Sequence, residues 1–396
     1  MNYRSKIAWI FLLGFALDLV NMFVATVAYP DIARELHASV TQLAWISNAY
    51  MLGLTLIIPL SVWLAAIMGE RTLIAASLML FAGASGMVGQ AGSIDALIGW
   101  RALQGLGGGL LIPVGQAMAY RHFPAAERSH LTARVMSVAL LVPALSPALG
   151  GMIVDSVSWR WIFYANLPLA LVTLLLALQW IKPDAPTTIR PSLDLGSIFK
   201  QIASPMLRVA MLVYLCIPGV FIGTSLIAIL YLRGLGYDAT RTGALMLPWA
   251  LASALAIFLS KQLFNRCGPI LLLLAGMALQ CIGILLLNKP EPTLIISAYA
   301  LMGLGGSLCS STAQTLAFLD IPAEHMGHAS ALWNINRQVS FCLGAAALSA
   351  LLSALDSFSI TFTIAAALTL LPLFAVLRLD TSRVRTLLHP ANEPQQ

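Results

Sequence analysis

Charge is what this sequence lacks. Only 10% of its 396 residues are Asp, Glu, Lys or Arg, against 59% hydrophobic residues and a mean hydropathy of +0.86. A soluble domain carries roughly 25% charge, so a water-soluble globular fold is excluded. Cysteine is sparse as well. Cys216, Cys267, Cys281, Cys309 and Cys342 all lie in the second half, with no CxxC pair, which excludes a disulfide framework or a thiolate zinc site. The histidines show no metal-ligand spacing. His122, His130, His325 and His328 sit at the ends of apolar runs and His37 and His389 in polar segments, so they read as solvated or capping groups. GLGGG at 105–109 follows no strand and is not a phosphate-cradling loop. Clustered Ser/His, paired acids and metal ligands at one depth are missing too, so neither an enzyme nor a cofactor is expected. The formal net charge of +6 does not point to nucleic acid, because the basic residues sit in short connections.

What the chain has in abundance is apolar runs of about 20 residues, each long enough to cross roughly 30 Å of hydrocarbon. Twelve spans are expected, at 8–28, 43–66, 72–92, 95–120, 132–155, 160–182, 206–232, 241–263, 269–287, 293–316, 328–352 and 358–378. This is an all-α membrane protein. The N-terminal MNYRSK mimics a signal peptide, but its apolar run continues to about Ala28 without a small-residue cleavage site, so it reads as a retained first span. Even parity puts both termini on one side. One set of connections and tails holds Arg4, Lys6, Arg71, Arg121, Arg128, Arg134, Lys182, Arg190, Lys200, Arg208, Lys261, Arg266, Arg378, Arg383 and Arg385; the other holds Arg34, Arg160, Arg233, Arg241 and Lys289. The excess of about three to one places both termini in the cytoplasm. The polar stretch 183–205 reads as a cytoplasmic linker between six-span halves at 1–182 and 206–380, with a tail at 381–396.

A repeat supports the two halves. Shifted by 198 residues, LQGLGGGLLIPVGQAMA (103–119) lies over LMGLGGSLCSSTAQTLA (301–317). Gly105, Gly107, Gly108 and Gln116 meet Gly303, Gly305, Gly306 and Gln314, and Pro124, His130 and Ala133 meet Pro322, His328 and Ala331. Six spans separate the copies, so the repeat is parallel.

Within this apolar frame Asp18 is the acidic side chain set deep in a span, in LDLVNMFVATVAYP (17–30). A charge at the bilayer centre costs at least about 2.5 kcal/mol and is usually functional. Asn21 shares its helix face. Two arginines also fall inside spans. Arg101 enters span four, within reach of Asn21 or Asp18, and its repeat position is Tyr299. It is either the charge partner of Asp18 or a snorkelling side chain. Arg337 lies about ten residues into span eleven beside Asn334, Asn336 and Gln338. It faces either an anionic substrate group or neighbouring carbonyls and amides.

These features resemble the major facilitator superfamily, in its twelve-span form, and the local motifs are similar to those of its drug:proton antiporter branches. The branch pattern L-D-x-T-I-V-N-V-A-L-P, anchored on Pro30, sets its Asp on Asn21 and its Asn on Thr26, so the carboxylate here stands one turn away at Asp18. Trp45 and Tyr50 match W-x-x-x-x-Y, with Asn48 between them. Gly69 and Arg71 match the following loop motif, whose acid is replaced by Ala66. R-A-L-Q-G-L-G-G-G (101–109) matches the buried-arginine motif. Pro143, Ser146, Pro147, Gly150 and Gly151 resemble the span-five antiporter motif, and Trp159-Arg160-Trp161-Ile162-Phe163 with Asn166 and Pro168 resembles the opening of span six.

The resemblance implies a monomeric multidrug-type exporter of the bacterial inner membrane. It would exchange protons for small, partly apolar molecules by alternating access between the halves. Asp18 and Arg101 would couple the proton. Asn21, Trp45, Asn48, Tyr50, Gln104, Gln116, Gln314, Trp333, Asn334 and Arg337 would line the substrate cavity. Gly69, Arg71, Pro143, Pro147, Gly150 and Gly151 would act in gating, the span-five prolines and glycines as a hinge or as a fixed kink. Export of one metabolite such as a siderophore, and facilitated passage without proton coupling, remain open beside it.

Overall fold

The computed structural model describes residues 1–38, 40–183, 196–237 and 239–388. Most of the expected linker, including Arg190, and residues 389–396 of the tail, with His389, lie outside the described residues. So do the side chains of Thr26, Pro30, Pro147, Arg233, Arg241 and Arg385. Every regular element among the described residues is a helix, as a bilayer requires of a chain that must pair its own backbone groups.

Span one is Tyr3–Val24, followed by a 3-10 turn over Ala25–Ala28 and a short helix, Tyr29–Leu36. Span two runs through Val40–Ile57, a turn at Ile58–Leu60 and Ser61–Met68. Span three is Glu70–Gly89, span four Ile94–His122 and span five Arg128–Ser156. Span six is Arg160–Tyr164 with Asn166–Trp180. Span seven contains Pro205–Tyr214, a π turn at Leu215–Gly219 around Pro218, and Val220–Gly234. Spans eight to eleven are Ala239–Cys267, Pro269–Leu286, Pro292–Ala317 and Met326–Leu355, and span twelve is Phe358–Thr369 with Leu373–Leu377.

Eleven of these helical stretches are long and apolar enough to cross a membrane. Span four is the one that falls short, and its burial explains why. From Gln104 to Tyr120 nearly every residue is buried, because the helix packs against spans one, two and three rather than lipid. A helix shielded by protein does not need an apolar surface. Its ends are well set. Ser93 caps it by accepting from the Ala96 N–H at 3.3 Å, Asp95 lies in its first turn, and Arg121 and His122 lie in its last, all complementing the helix dipole.

The chain divides into two compact units. Unit 1 is Met1–Phe123, Val138–Lys200 and Ala323–Ile335. Unit 2 is Pro124–Ser137, Gln201–Pro322 and Asn336–Gln396. Inside each, the repeated glycine helix plays the same part. In unit 1, a methyl group on Gly105 would collide with the carbonyl oxygen of Tyr50 in span two. In unit 2, one on Gly303 would collide with that of Trp249 in span eight. Span five is helical without a break through Pro143 and Pro147. One core cluster of unit 1 is built from Val24, Ile32, Ile46, Val88, Leu97, Trp159 and Phe163.

Candidate functional site

A polar cluster lies inside the core of unit 1. Asp18, 2% exposed, accepts a hydrogen bond from the hydroxyl of the fully buried Tyr50. The guanidinium of Arg101, itself 0% exposed, lies 4.4 Å from the centroid of the Tyr50 ring and 5.8 Å from that of Phe163. Its Nε donates to the Ile46 carbonyl at 3.1 Å and its Nη1 to Gln104 Oε1 at 2.8 Å. Gln104 Nε2 donates onward to Asn21 Oδ1 at 3.1 Å and to Ser85 Oγ at 2.8 Å. Asn166 Nδ2 also donates to Asn21 Oδ1, at 3.2 Å, and Ser85 Oγ donates to the Phe163 carbonyl at 3.0 Å. Spans one, two, three, four and six each contribute.

The cluster is incompletely paired. Arg101 Nη2, Asn21 Nδ2 and Asn166 Oδ1 are buried with no hydrogen-bond partner among the described residues. Each such group costs about 1–3 kcal/mol. Buried groups left in this condition call for a functional reason or a second conformation that pairs them. In the second half, the shift of 198 sets Cys216 and Tyr299 at the places of Asp18 and Arg101. The ionisable pair therefore belongs to unit 1.

The expected site residues fall into groups. Asp18, Arg101, Asn21, Gln104 and Tyr50 come together. Tyr50, expected at the cavity wall, instead stands between Asp18 and Arg101. Trp45, at 44% exposed, and Asn48 face out of the unit's core. Gln116 and Asn334 are bonded to each other. Gln116 Oε1 accepts from Asn334 Nδ2 at 2.7 Å and from Ser330 Oγ at 2.9 Å, and Trp333 is buried nearby in sequence. In unit 2, Gln314 is buried and Arg337 half-buried. Beside Arg337, Asn336 donates to the Met211 carbonyl at 3.3 Å. Ser85 is the member that sequence reasoning missed, and Asn166 had been noted only as part of a motif. The signal for Ser85 was a hydroxyl in the small-residue run Ala82–Gly86 of a lipid-length helix.

At the end of unit 1 where spans two and three meet, Gly69 adopts φ 82°, a conformation that favours glycine. It turns the chain into span three, and Arg71 then donates to the Leu178 carbonyl. With Ala66 in place of an acid, the carboxylate of this loop comes from Glu70. Glu70 pairs with Arg121 at 2.9 Å, and Arg121 Nε donates to the Ala323 carbonyl at 3.2 Å. A cavity of about 370 Å³ adjoins the pair, lined in part by Ala65, Ala66, Pro113, Ala117 and Gly327. Gly150 abuts Val24, Pro143 and Gly151 are half-buried, and Pro147 lies among the side chains outside the described set.

At the opposite end of the unit, Glu35 accepts from Trp159 Nε1 at 2.6 Å and from Arg160 Nη1 at 2.5 Å. Arg160 also donates to the Ala91 carbonyl at 3.1 Å and lies over the Trp159 ring. The Trp159 hydrogen bond above all, and then Arg160, hold the Glu35 carboxyl below its ordinary value of 4.5 against the opposing effect of burial. A carboxylate with a lowered value stabilises the fold above its unfolded value, and that contribution fades as pH falls through the folded one. Trp159 fluorescence is thus expected to be flat near neutral pH and to change below about pH 4.5. Glu35→Gln is expected to remove that change. An unaltered acid transition in the variant would refute this clamp.

Comparison with known proteins gives one consistent answer. A family model described as Major Facilitator Superfamily matches residues 11–345. Multidrug export protein EmrB of Escherichia coli (strain K12) is 34% identical over 178 residues, 45% of this chain and 35% of the relative. The match thus spans about a third of that relative's length. Multidrug resistance protein Stp of Mycobacterium tuberculosis (strain CDC 1551 / Oshkosh) is 26% identical over 86% of this chain and 74% of its own. Among solved structures, the human organic anion transporter MFSD10 superimposes with a TM-score of 0.77 at 17% identity, covering 95% of this chain and 100% of that one. The proton:xylose symporter XylE does so with 0.73 at 14%, covering 95% and 94%. At these identities the structures speak for the fold alone.

Proposed function

From the premise that this chain belongs to the Major Facilitator Superfamily, we propose that it is a multi-pass transporter that exports small, partly apolar molecules in exchange for protons. The supporting observation is a buried carboxylate, Asp18, tied through Tyr50 to a buried arginine in a chain whose matched relatives are named for multidrug export or multidrug resistance. Asp18 takes up the proton. Arg101 favours its release, since a nearby cation stabilises a carboxylate. Asn21 and Gln104 complete the polar path, and the substrate contacts are Trp45, Asn48, Gln116, Gln314, Trp333, Asn334 and Arg337. The carrier's parts are the six-span halves 1–182 and 206–380. The termini lie in the cytoplasm, the protein resides in the bacterial inner membrane as a monomer, and it works by alternating access.

Reconstituted vesicles with an imposed pH gradient, scanned over a panel of amphipathic drugs, test this reading. Gradient-driven accumulation of several unrelated compounds is the expected result. Transport of a single compound would favour a dedicated metabolite exporter. Transport indifferent to a protonophore would favour a facilitator, a reading that the position of Asn21, where the antiporter branches carry their acid, keeps in view.

In this reading Glu70 and Arg121 act in the cytoplasmic gate with Gly69, Arg71 and the proline–glycine segment of span five. A partly exposed ion pair is worth about 0–1 kcal/mol. Glu70→Gln or Arg121→Gln is therefore expected to change turnover by no more than about fivefold, with recovery in the E70R/R121E double variant. Turnover counted per folded transporter checks it; a swap no better than the single changes would remove the pair from the gate.

A further inference from the structure

We propose that Tyr50 is the positioning residue through which Asp18 and Arg101 act on one another. This rests on the assignment of Asp18 as the proton carrier. Nε and Nη1 of Arg101 are directed to Ile46 and Gln104, while its guanidinium carbon lies over the Tyr50 ring, 4.4 Å from the centroid. The hydroxyl on the far end of that ring donates to Asp18. A cation over an aromatic face draws on the ring's electrons and so makes the phenol a stronger donor. The ring thus gives the arginine's charge a path to the carboxylate beside its action through space.

The surroundings are shaped for this placement. A methyl group on Gly105 would collide with the Tyr50 backbone carbonyl, and one on Gly108 would come within 2.9 Å of the Tyr50 hydroxyl oxygen. One glycine of span four seats the tyrosine's backbone and the other leaves room for its hydroxyl. Such a relay gives Asp18 two settings. With the hydroxyl donated to it the ionised carboxylate is stabilised, and with the ring turned away it is not. A movement of span one relative to spans two and four, which Arg101 joins through the Ile46 carbonyl, thus suffices to change proton affinity.

Tyr50→Phe keeps the ring beneath Arg101 and deletes only the hydroxyl. Measured in vesicles as gradient-driven exchange against pH, it is expected to move the half-maximal point to higher pH by about one unit, with substrate KM unchanged. Gly108→Ala, which retains the hydroxyl but crowds it, is expected to shift the profile in the same direction and by less. Asp18→Asn, run alongside, separates the two claims. If it abolishes gradient-driven exchange while Tyr50→Phe keeps the native pH profile, the relay is overturned and the proton site stands. If Asp18→Asn still exchanges with the gradient, the proton assignment itself has failed.

Discussion

Asp18→Asn is expected to abolish the response to a pH gradient while leaving a folded carrier that still exchanges substrate for substrate. The amide matches the carboxylate in shape and retains an oxygen for the Tyr50 hydroxyl, so the packing around span one survives. What disappears is the ability to carry a proton. One pH unit is worth about 1.4 kcal/mol per proton. A gradient of two units can therefore drive about a hundredfold accumulation in one-to-one exchange, and the variant is expected to show a ratio of about one. Asp18→Glu restores a carboxyl on a longer stem in a fully packed site and is expected to recover only part of the accumulation. Persistent gradient-driven accumulation in Asp18→Asn would rule out the proposed proton path, whatever the substrate.

The second large effect is structural. Gly105→Ala places a methyl group against the backbone oxygen of Tyr50, and a main-chain atom inside a packed helix pair cannot swing aside as a side chain can. Overpacking of this kind costs about 1–3 kcal/mol and at times more. It also moves the residue that holds Asp18. Folded protein recovered from the membrane is expected to fall severalfold, with lost exchange in what remains. Gly99→Ala on the same helix is the control. Nothing lies within 4 Å of its added methyl, and alanine is the better helix former by up to about 1 kcal/mol, so it is expected to be neutral or slightly stabilising. Equal losses in the two variants would mean that helix propensity, not the contact with span two, governs this segment.

The architecture was readable from the chain because the bilayer imposes one simple rule, an apolar run of fixed length, and because the two glycine helices kept a common register. Asp18 and Arg101 were readable for a related reason: a charge in hydrocarbon is conspicuous. Their contacts were not. Spacing along a helix tells which residues share a face but not which neighbouring helix that face meets, so Tyr50 read as a cavity wall and emerged as the partner of Asp18. Gln116 and Asn334 are expected to line the substrate cavity, and the structure adds that they are bonded to each other. Glu70 carries no signal in the sequence, because its pairing with Arg121 depends on a contact fifty-one residues away.

The modest hydropathy of span four has a consequence for how the protein is made. The helix that carries Arg101, Gln104 and the packing glycines is also the one stretch whose own composition gives the weakest claim on the bilayer. An arginine inside a span raises the insertion cost by up to about 2.5–3.5 kcal/mol, and the groups that meet Arg101 and Gln104 lie on spans one, two and three, with the Phe163 ring of span six 5.8 Å from the guanidinium. Span six is synthesised later than span four. The segment is therefore expected to be held among its earlier neighbours until Phe163 arrives, so that the cluster around Arg101 is completed only when span six joins the first five.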